Sequence, residues 1–123
     1  MREFATNVLE AKNIELEFRV TEPVYDVKLG MEARKDFFLI FKEAVNNTAK
    51  YSKCTKASII IYVENKRLHL SVSDNGIGFN PDLADSGNGL GNIRKRADAL
   101  HGNLQIISGQ GEGTVVKLII PVS

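Results

Sequence analysis

The spacing of apolar residues predicts that the chain alternates between helices and strands. In residues 2–12 the apolar positions recur at helical spacing and predict a first helix; they are Phe4, Val8 and Leu9. Residues 14–20 instead alternate apolar with charged side chains, which is typical of a half-buried strand. The apolar members of this strand are Ile14, Leu16, Phe18 and Val20.

A longer amphipathic segment predicts a second helix over roughly residues 31–51. Its apolar stripe consists of Phe37, Phe41, Ala44, Val45 and Thr48. Two strands are predicted next, at residues 57–64 and 67–74. Asn65 and Lys66 lie between them and predict a two-residue hairpin turn.

The remainder of the chain predicts one more helix and a final pair of strands. The helix covers about residues 89–101, with Gly102 as its left-handed C-terminal cap. The last strands lie at residues 103–108 and 113–122. This order predicts an α+β fold: a two-layer α/β sandwich with about three helices on one face of a mixed, mainly antiparallel sheet.

Composition narrows the classes of function. A chain of 123 residues is long enough for one domain, residues 1–123. Its formal net charge of +1 argues against nonspecific binding of nucleic acid and against direct contact with an anionic membrane. The single cysteine, Cys54, excludes an internal disulfide and favours a reducing compartment. Because the first helix has no capped start, we expect the chain to be a piece of a longer protein.

The polar face of the long predicted helix carries candidate ligands for a cation. Glu43, Asn46, Asn47 and Lys50 share this face at helical spacing. A solvated surface is the common explanation for such a face, but asparagine is unfavourable inside a helix, so the adjacent pair suggests a function. Amide and carboxylate oxygens are suitable ligands for Mg2+.

Asp74, at the end of a predicted strand, begins a second group. Alone it would be read as a turn residue. Gly76 and Gly78 bracket Ile77 directly after it, and this much glycine indicates backbone pressed against a flat ligand. A buried carboxylate here would accept a hydrogen bond from the 6-amino group of adenine and would reject guanine, which has an acceptor at that position.

A third group, Gly87, Gly89 and Gly91, leads into the last predicted helix. The N-terminus of a helix offers free N–H groups and a positive dipole end to a phosphate. The glycines match neither the dinucleotide-binding fingerprint nor the P-loop, so another kind of nucleotide site is indicated. Cations at residues 94–96, early in this helix, fit a nearby anion or acidic partner, or a solvated surface.

Four segments occur in a characteristic order: FKEAVNNTAKYS at residues 41–52, DNGIGF at 74–79, GNGLGN at 87–92 and GEGT at 111–114. They resemble the N box, the two glycine boxes and the short glycine motif of the ATP-binding catalytic domain of bacterial sensor histidine kinases. This domain belongs to the GHKL, or Bergerat-fold, ATPase superfamily. The resemblance covers nearly the whole chain and implies ATP and Mg2+ as cofactors.

The resemblance implies a role for each matching residue. Asn47, with Glu43, would hold Mg2+, and Lys50 would lie near the phosphates; these three are the candidate catalytic residues. Asp74 would read adenine, with Thr114 hydrogen-bonding nearby. The other residues expected beside the nucleotide are Tyr51, Gly76, Gly78, Phe79, Gly87, Gly89, Leu90 and Gly91.

The resemblance also implies the reaction, which is transfer of the γ-phosphoryl group of ATP to a histidine on a separate dimerisation domain. Residues 1–12 would be the end of the linker from that domain. The implied context is two-component signalling, with a response regulator as an indirect partner and a cytoplasmic domain in a protein attached to the inner membrane. Of the 2 histidines, His69 and His101, neither fits an exposed phosphoacceptor on a helix, so we expect that this chain does not phosphorylate itself.

Two details are similar to the short-lid class of nitrate-sensor and desaturase-sensor kinases. Only residues 79–86 separate the two glycine boxes, and the N box begins Glu43-Ala44-Val45. Tyr51 departs from the pattern, because this class commonly has histidine at that position.

Other functions stay open on the sequence. Glu43 has the spacing of the glutamate that activates water in gyrase-like and mismatch-repair-like members, which favours a hydrolytic ATPase. The third candidate is a module similar to anti-sigma factors, which bind a protein partner and act as serine kinases. A purely structural domain would leave the order of the motifs unexplained.

Overall fold

A computed structural model describes residues 1–21, 28–51, 53–77, 90–108 and 113–122 of the chain. Within these ranges it contains three helices and five strands, in the predicted order. The helices are α1 (Arg2–Glu10), α2 (Met31–Tyr51) and α3 (Leu90–Ala99). The strands are β1 (Glu15–Val20), β2 (Lys56–Glu64), β3 (Arg67–Asp74), β4 (Asn103–Ser108) and β5 (Thr114–Pro121).

The described strands form one mixed sheet in the order β1-β2-β3-β5-β4. β1 pairs with β2 in parallel, and the other three pairs are antiparallel. Asn65 and Lys66 both have positive φ, at 54° and 61°. A hairpin with a two-residue type I′ turn requires positive φ at both positions, so the predicted turn is confirmed.

The core lies between the three helices and one face of the sheet. Alternate residues of the central strands are buried on this face: Ala57, Ile59, Ile61, Leu68, Leu70, Val72, Val116, Leu118 and Ile120. The predicted stripe of α2 is buried as well, together with Ile40, which has no exposed surface and was not in the prediction. The α+β sandwich predicted from the sequence is therefore confirmed.

The end of α3 differs from the prediction. His101, rather than Gly102, adopts the left-handed conformation, with φ of 54°. The N–H of Gly102 donates to the carbonyl of Ala97 at 2.9 Å and that of His101 to Asp98 at 3.0 Å, which is the pattern of a Schellman motif. Gly102 is needed for space instead, because a Cβ there would lie 2.8 Å from Cγ2 of Ile120.

α1 packs into the same core, where Ala5 and Leu9 are buried. Its C-terminus turns through Asn13, which has φ of 59°, so that the chain enters β1 directly. None of the helices in the described ranges is long and apolar enough to cross a membrane.

Candidate nucleotide-binding site

Asp74 is the last residue of β3 and the centre of the candidate site. Its side chain is half-buried, and it follows the buried positions of β3 at the two-residue period of a strand. The backbone N–H of Gly76 donates to Oδ1 of Asp74 at 2.8 Å. Burial raises the pKa of this carboxyl above its usual value, while backbone hydrogen bonds from Gly76 and from Thr114 oppose that increase.

Gly113 brings the start of β5 against the backbone of Asp74. It has φ of +79°, and a Cβ built on it would overlap the carbonyl oxygen of Asp74. Any side chain at this position would therefore push the two strands apart. The sequence analysis identified Gly113 only as part of the GEGT motif and predicted no contact with Asp74.

Thr114 lies directly across from Asp74 in the antiparallel register and is buried, with 8% of its surface exposed. Its hydroxyl is 2.9 Å from that of Ser108 on β4. The Ser108 hydroxyl also donates to the carbonyl of Gly113 at 3.2 Å. Asp74, Gly76, Gly113 and Thr114 thus form one group held by backbone contacts, called here the Asp74 cluster.

The polar face of α2 forms the second part of the candidate site. Glu43, Asn46 and Asn47 are half-buried, while the neighbouring Ala44 and Thr48 are buried. Glu43 and Asn47 are about one helical turn apart, roughly 6 Å along the axis. Within the described ranges, no side-chain hydrogen bond joins either residue to the Asp74 cluster.

The basic residues of α3 are explained in part by packing between helices. Arg96 donates to Asp36 of α2 at 3.1 Å, and this pair is partly buried. Arg96 belongs to the last turn of α3, where a cation is favourable, rather than to its early turns. Arg94 and Lys95 are exposed.

For several predicted site residues the structure describes either no atoms or only the backbone. Gly78, Phe79, Gly87 and Gly89 lie outside the described residues. Lys50 and Tyr51 belong to α2, and Leu90 and Gly91 to the start of α3, where only the backbone is described.

Asn75 is a residue of the site that sequence reasoning missed. Its side-chain oxygen accepts hydrogen bonds from the backbone N–H groups of Thr55 and Lys56, at 2.9 and 3.0 Å. Its amide nitrogen donates to the hydroxyl of Thr55 at 2.9 Å. The sequence analysis assigned Asn75 no role beyond its place in the DNGIGF segment, because nothing in the local sequence identifies partners so distant along the chain.

Neither histidine is a free side chain on a helix face. The ring of His69 stacks on Tyr62 of the neighbouring strand, with 4.3 Å between ring centroids and 9° between planes. His101 lies two residues beyond the end of α3, in the left-handed conformation, and its side chain is exposed.

Comparison with known proteins gives consistent matches. The model of the family described as "Histidine kinase-, DNA gyrase B-, and HSP90-like ATPase" matches residues 32–123. The chain is 32% identical over 113 residues to the sensor histidine kinase LiaS of Bacillus subtilis, covering 86% of the chain and 31% of that protein. It is 30% identical over 106 residues to the sensor protein VraS of Staphylococcus aureus, covering 85% and 30% respectively. The chain thus spans about a third of the length of these curated relatives.

Solved structures agree on the fold. The blue-light activated histidine kinase EL346 of Erythrobacter litoralis superimposes with a TM-score of 0.79 at 20% identity, over 99% of this chain and 40% of that one. The catalytic domain of the histidine kinase ThkA superimposes with a TM-score of 0.75 at 19% identity, over 98% and 90% respectively. These neighbours have the α/β Bergerat fold that the sequence predicted.

Proposed function

Because the chain belongs to the family of histidine kinase-, DNA gyrase B- and HSP90-like ATPases, we propose that it binds Mg2+·ATP and donates the γ-phosphoryl group to a histidine on a separate dimerisation domain. The observation that carries this proposal is the Asp74 cluster. The similarity to LiaS, which is named as a sensor histidine kinase, favours this reaction over the others known in the family.

The proposed role of Asp74 is to recognise adenine. Its carboxylate accepts backbone N–H groups and has lone pairs left for a further donor. The adenine 6-amino group is such a donor, whereas the 6-oxo group of guanine would face the carboxylate as a second acceptor. Thr114 would contribute to the same pocket from β5, and Gly76 and Gly78 would leave room for the base.

The proposed metal site lies on the polar face of α2. Asn47 and Glu43 supply oxygen ligands from one helix face, and half-burial leaves them accessible to a bound nucleotide. These residues therefore fit Mg2+, which when bound would neutralise charge on the phosphates. Lys50 would contact the phosphates from the same helix. Gly87, Gly89 and Gly91, which lead into the last helix in the sequence, would supply backbone N–H groups to them.

The phosphoryl acceptor is proposed to lie in helices outside this chain, in a dimerisation domain of the same kinase that would connect to α1. His69 stacks on Tyr62 within the sheet, and His101 lies beyond the end of α3, so neither is on a helix as a phosphoacceptor would be. In this proposal the phosphoryl group passes later to a response regulator, and the domain works in the cytoplasm as part of a membrane-attached sensor. The chain is further proposed to belong to the short-lid class of nitrate-sensor and desaturase-sensor kinases, because only residues 79–86 separate the two glycine boxes.

A calorimetric titration of the chain with Mg·ADP and Mg·GDP tests the adenine site directly. We expect tighter binding of ADP, and a loss of at least about tenfold in Asp74→Asn, because the amide adds a donor facing the 6-amino group. Equal affinity for the two nucleotides, or an unchanged Asp74→Asn variant, would contradict the assignment.

The hydrolytic alternative has a separate test in Glu43→Gln. If the chain were a hydrolytic ATPase, it would hydrolyse ATP without added dimerisation helices, and Glu43→Gln would abolish that hydrolysis. We expect the chain to support transfer to those helices and no self-phosphorylation, measured with radiolabelled ATP.

A further inference from the structure

Asn75 is exposed, yet its side chain and backbone N–H together make four hydrogen bonds. Besides its three side-chain hydrogen bonds to Thr55 and Lys56, its own N–H donates to the carbonyl of Lys56 at 3.2 Å. Thr55 in turn accepts from the N–H of Glu15 at the start of β1, at 2.8 Å. The amide of Asn75 therefore fixes the end of β3 to the adjoining ends of β2 and β1.

The side chain of Asn75 is chemically specific for this arrangement. Two backbone N–H groups need an acceptor, and the Thr55 hydroxyl accepts from a donor. A primary amide supplies both on one planar group. Alanine would supply neither, and glutamine would carry the amide one carbon too far.

The position of Asn75 connects these contacts to the Asp74 carboxylate. Asn75 is the one residue between Asp74 and Gly76, whose N–H holds Oδ1 of Asp74 at 2.8 Å. The backbone angles of Asn75 set the direction of that N–H. Since the amide fixes residue 75 against β2, it also fixes the hydrogen bond that orients the carboxylate.

We propose that Asn75 is a positioning residue for base recognition, which orients the Asp74 carboxylate toward the 6-amino group of adenine without contacting the nucleotide. This inference rests on the proposed adenine site. It assigns Asn75 a part in choosing the base that is distinct from its part in holding the strands together.

The test compares two ligands that differ only at the 6-position: Mg·ADP and the Mg complex of purine riboside diphosphate, which lacks the 6-amino group. In Asn75→Ala we expect ADP affinity to fall about tenfold and the affinity for the analogue to change less than about twofold. In an Asp74→Asn background the same substitution should have little further effect on ADP, because the oriented group is already gone.

Thr55→Val is the matched variant, since it removes only the bond from the amide nitrogen and keeps both bonds to backbone N–H groups. It should reduce the preference for ADP in the same direction but by less, and it carries the test if Asn75→Ala does not fold. Urea unfolding of each variant reports stability separately. An equal loss of affinity for both ligands, or no loss for ADP, would overturn the positioning role while leaving the adenine site intact. If the parent chain binds neither ligand, the proposed function itself is wrong and the inference is refuted with it.

Discussion

The two parts of the candidate site are held in different ways. The Asp74 cluster is built from the ends of two paired strands, and backbone N–H groups of Gly76 and Thr114 hold its carboxylate. The polar face of α2 instead consists of side chains on a single helix, half-buried and about a turn apart at Glu43 and Asn47. The fold fixes the Asp74 carboxylate in place, whereas Glu43 and Asn47 are side chains on the surface of one helix.

Because the two parts are held differently, substitutions in them should differ in how they affect the stability of the fold and nucleotide binding. A substitution that displaces the backbone of a group fixed by strand pairing also disturbs the sheet, so it should affect folding and nucleotide binding together. A group on the surface of a helix contributes little to folding, so changes there should affect binding alone. Substitutions in each part, with stability and nucleotide affinity both measured, test this difference.

Gly113→Ala should have the largest effect. The new Cβ would overlap the Asp74 carbonyl oxygen and would strain a backbone with φ of +79°. We expect the free energy of unfolding to fall by about 2–4 kcal/mol, measured by urea denaturation, with ADP binding lost in parallel.

Gly30→Ala is the matched control for that substitution. A Cβ at Gly30 would meet nothing within 4 Å, and the residue caps α2 with a carbonyl that accepts from Arg34. Its cost should be below about 1 kcal/mol, with ADP affinity unchanged. If the two alanine variants were equally stable, the close approach of Gly113 to Asp74 would not require glycine at this position.

Asn47→Ala, on the polar face of α2, should weaken nucleotide binding without destabilising the fold. We expect ADP affinity measured with Mg2+ to fall about tenfold, toward the value measured with a chelator present, because a metal ligand is lost. The unfolding free energy should change by less than about 0.5 kcal/mol. Asn46→Ala, on the same face, controls for the loss of an amide; an equal effect of both variants would argue against a specific ligand at Asn47.

The fold was predictable because most of its signals are local. The alternation in β2 and β3 and the turn at Asn65 and Lys66 lie within a few residues of one another, and each favours the same hairpin. Gly102 was misassigned because its local context fits a helix cap equally well. What requires glycine there is the side chain of Ile120 on β5, which only the packed structure brings close.

The candidate site was predictable to the extent that its residues carry composition signals. Asp74 was identified through the glycines that follow it, and Asn47 through an asparagine pair inside a helix. Asn75 and Gly113 were missed as individual residues, because their roles depend on partners across the sheet. Asn75 bonds to residues 19 and 20 positions earlier, and Gly113 meets the backbone of Asp74.

The smallest predicted effect is the change in stability with pH that ionisation of Asp74 causes. Stability and ADP affinity should respond to this ionisation in opposite directions. Burial raises the pKa of Asp74 above 3.8, so between 3.8 and that higher value the folded chain binds more protons than the unfolded chain. The contribution of Asp74 to stability therefore falls as pH rises through this window and stays low above it. ADP affinity should rise over the same window, because the 6-amino group binds the ionised carboxylate.

Measuring the parent against Asp74→Asn isolates this residue from the other carboxylates. Urea unfolding of both chains from about pH 4 to about pH 7 should show the parent losing stability relative to the variant as pH rises. The change should stay below about 1 kcal/mol, since the half-exposed carboxyl is screened by solvent. ADP titrations of the parent over this range should change in the opposite direction. If stability and affinity rose together with pH, the carboxylate would be stabilised by its backbone partners more than it is penalised by burial, and the Asp74 cluster would favour the charge even without a ligand.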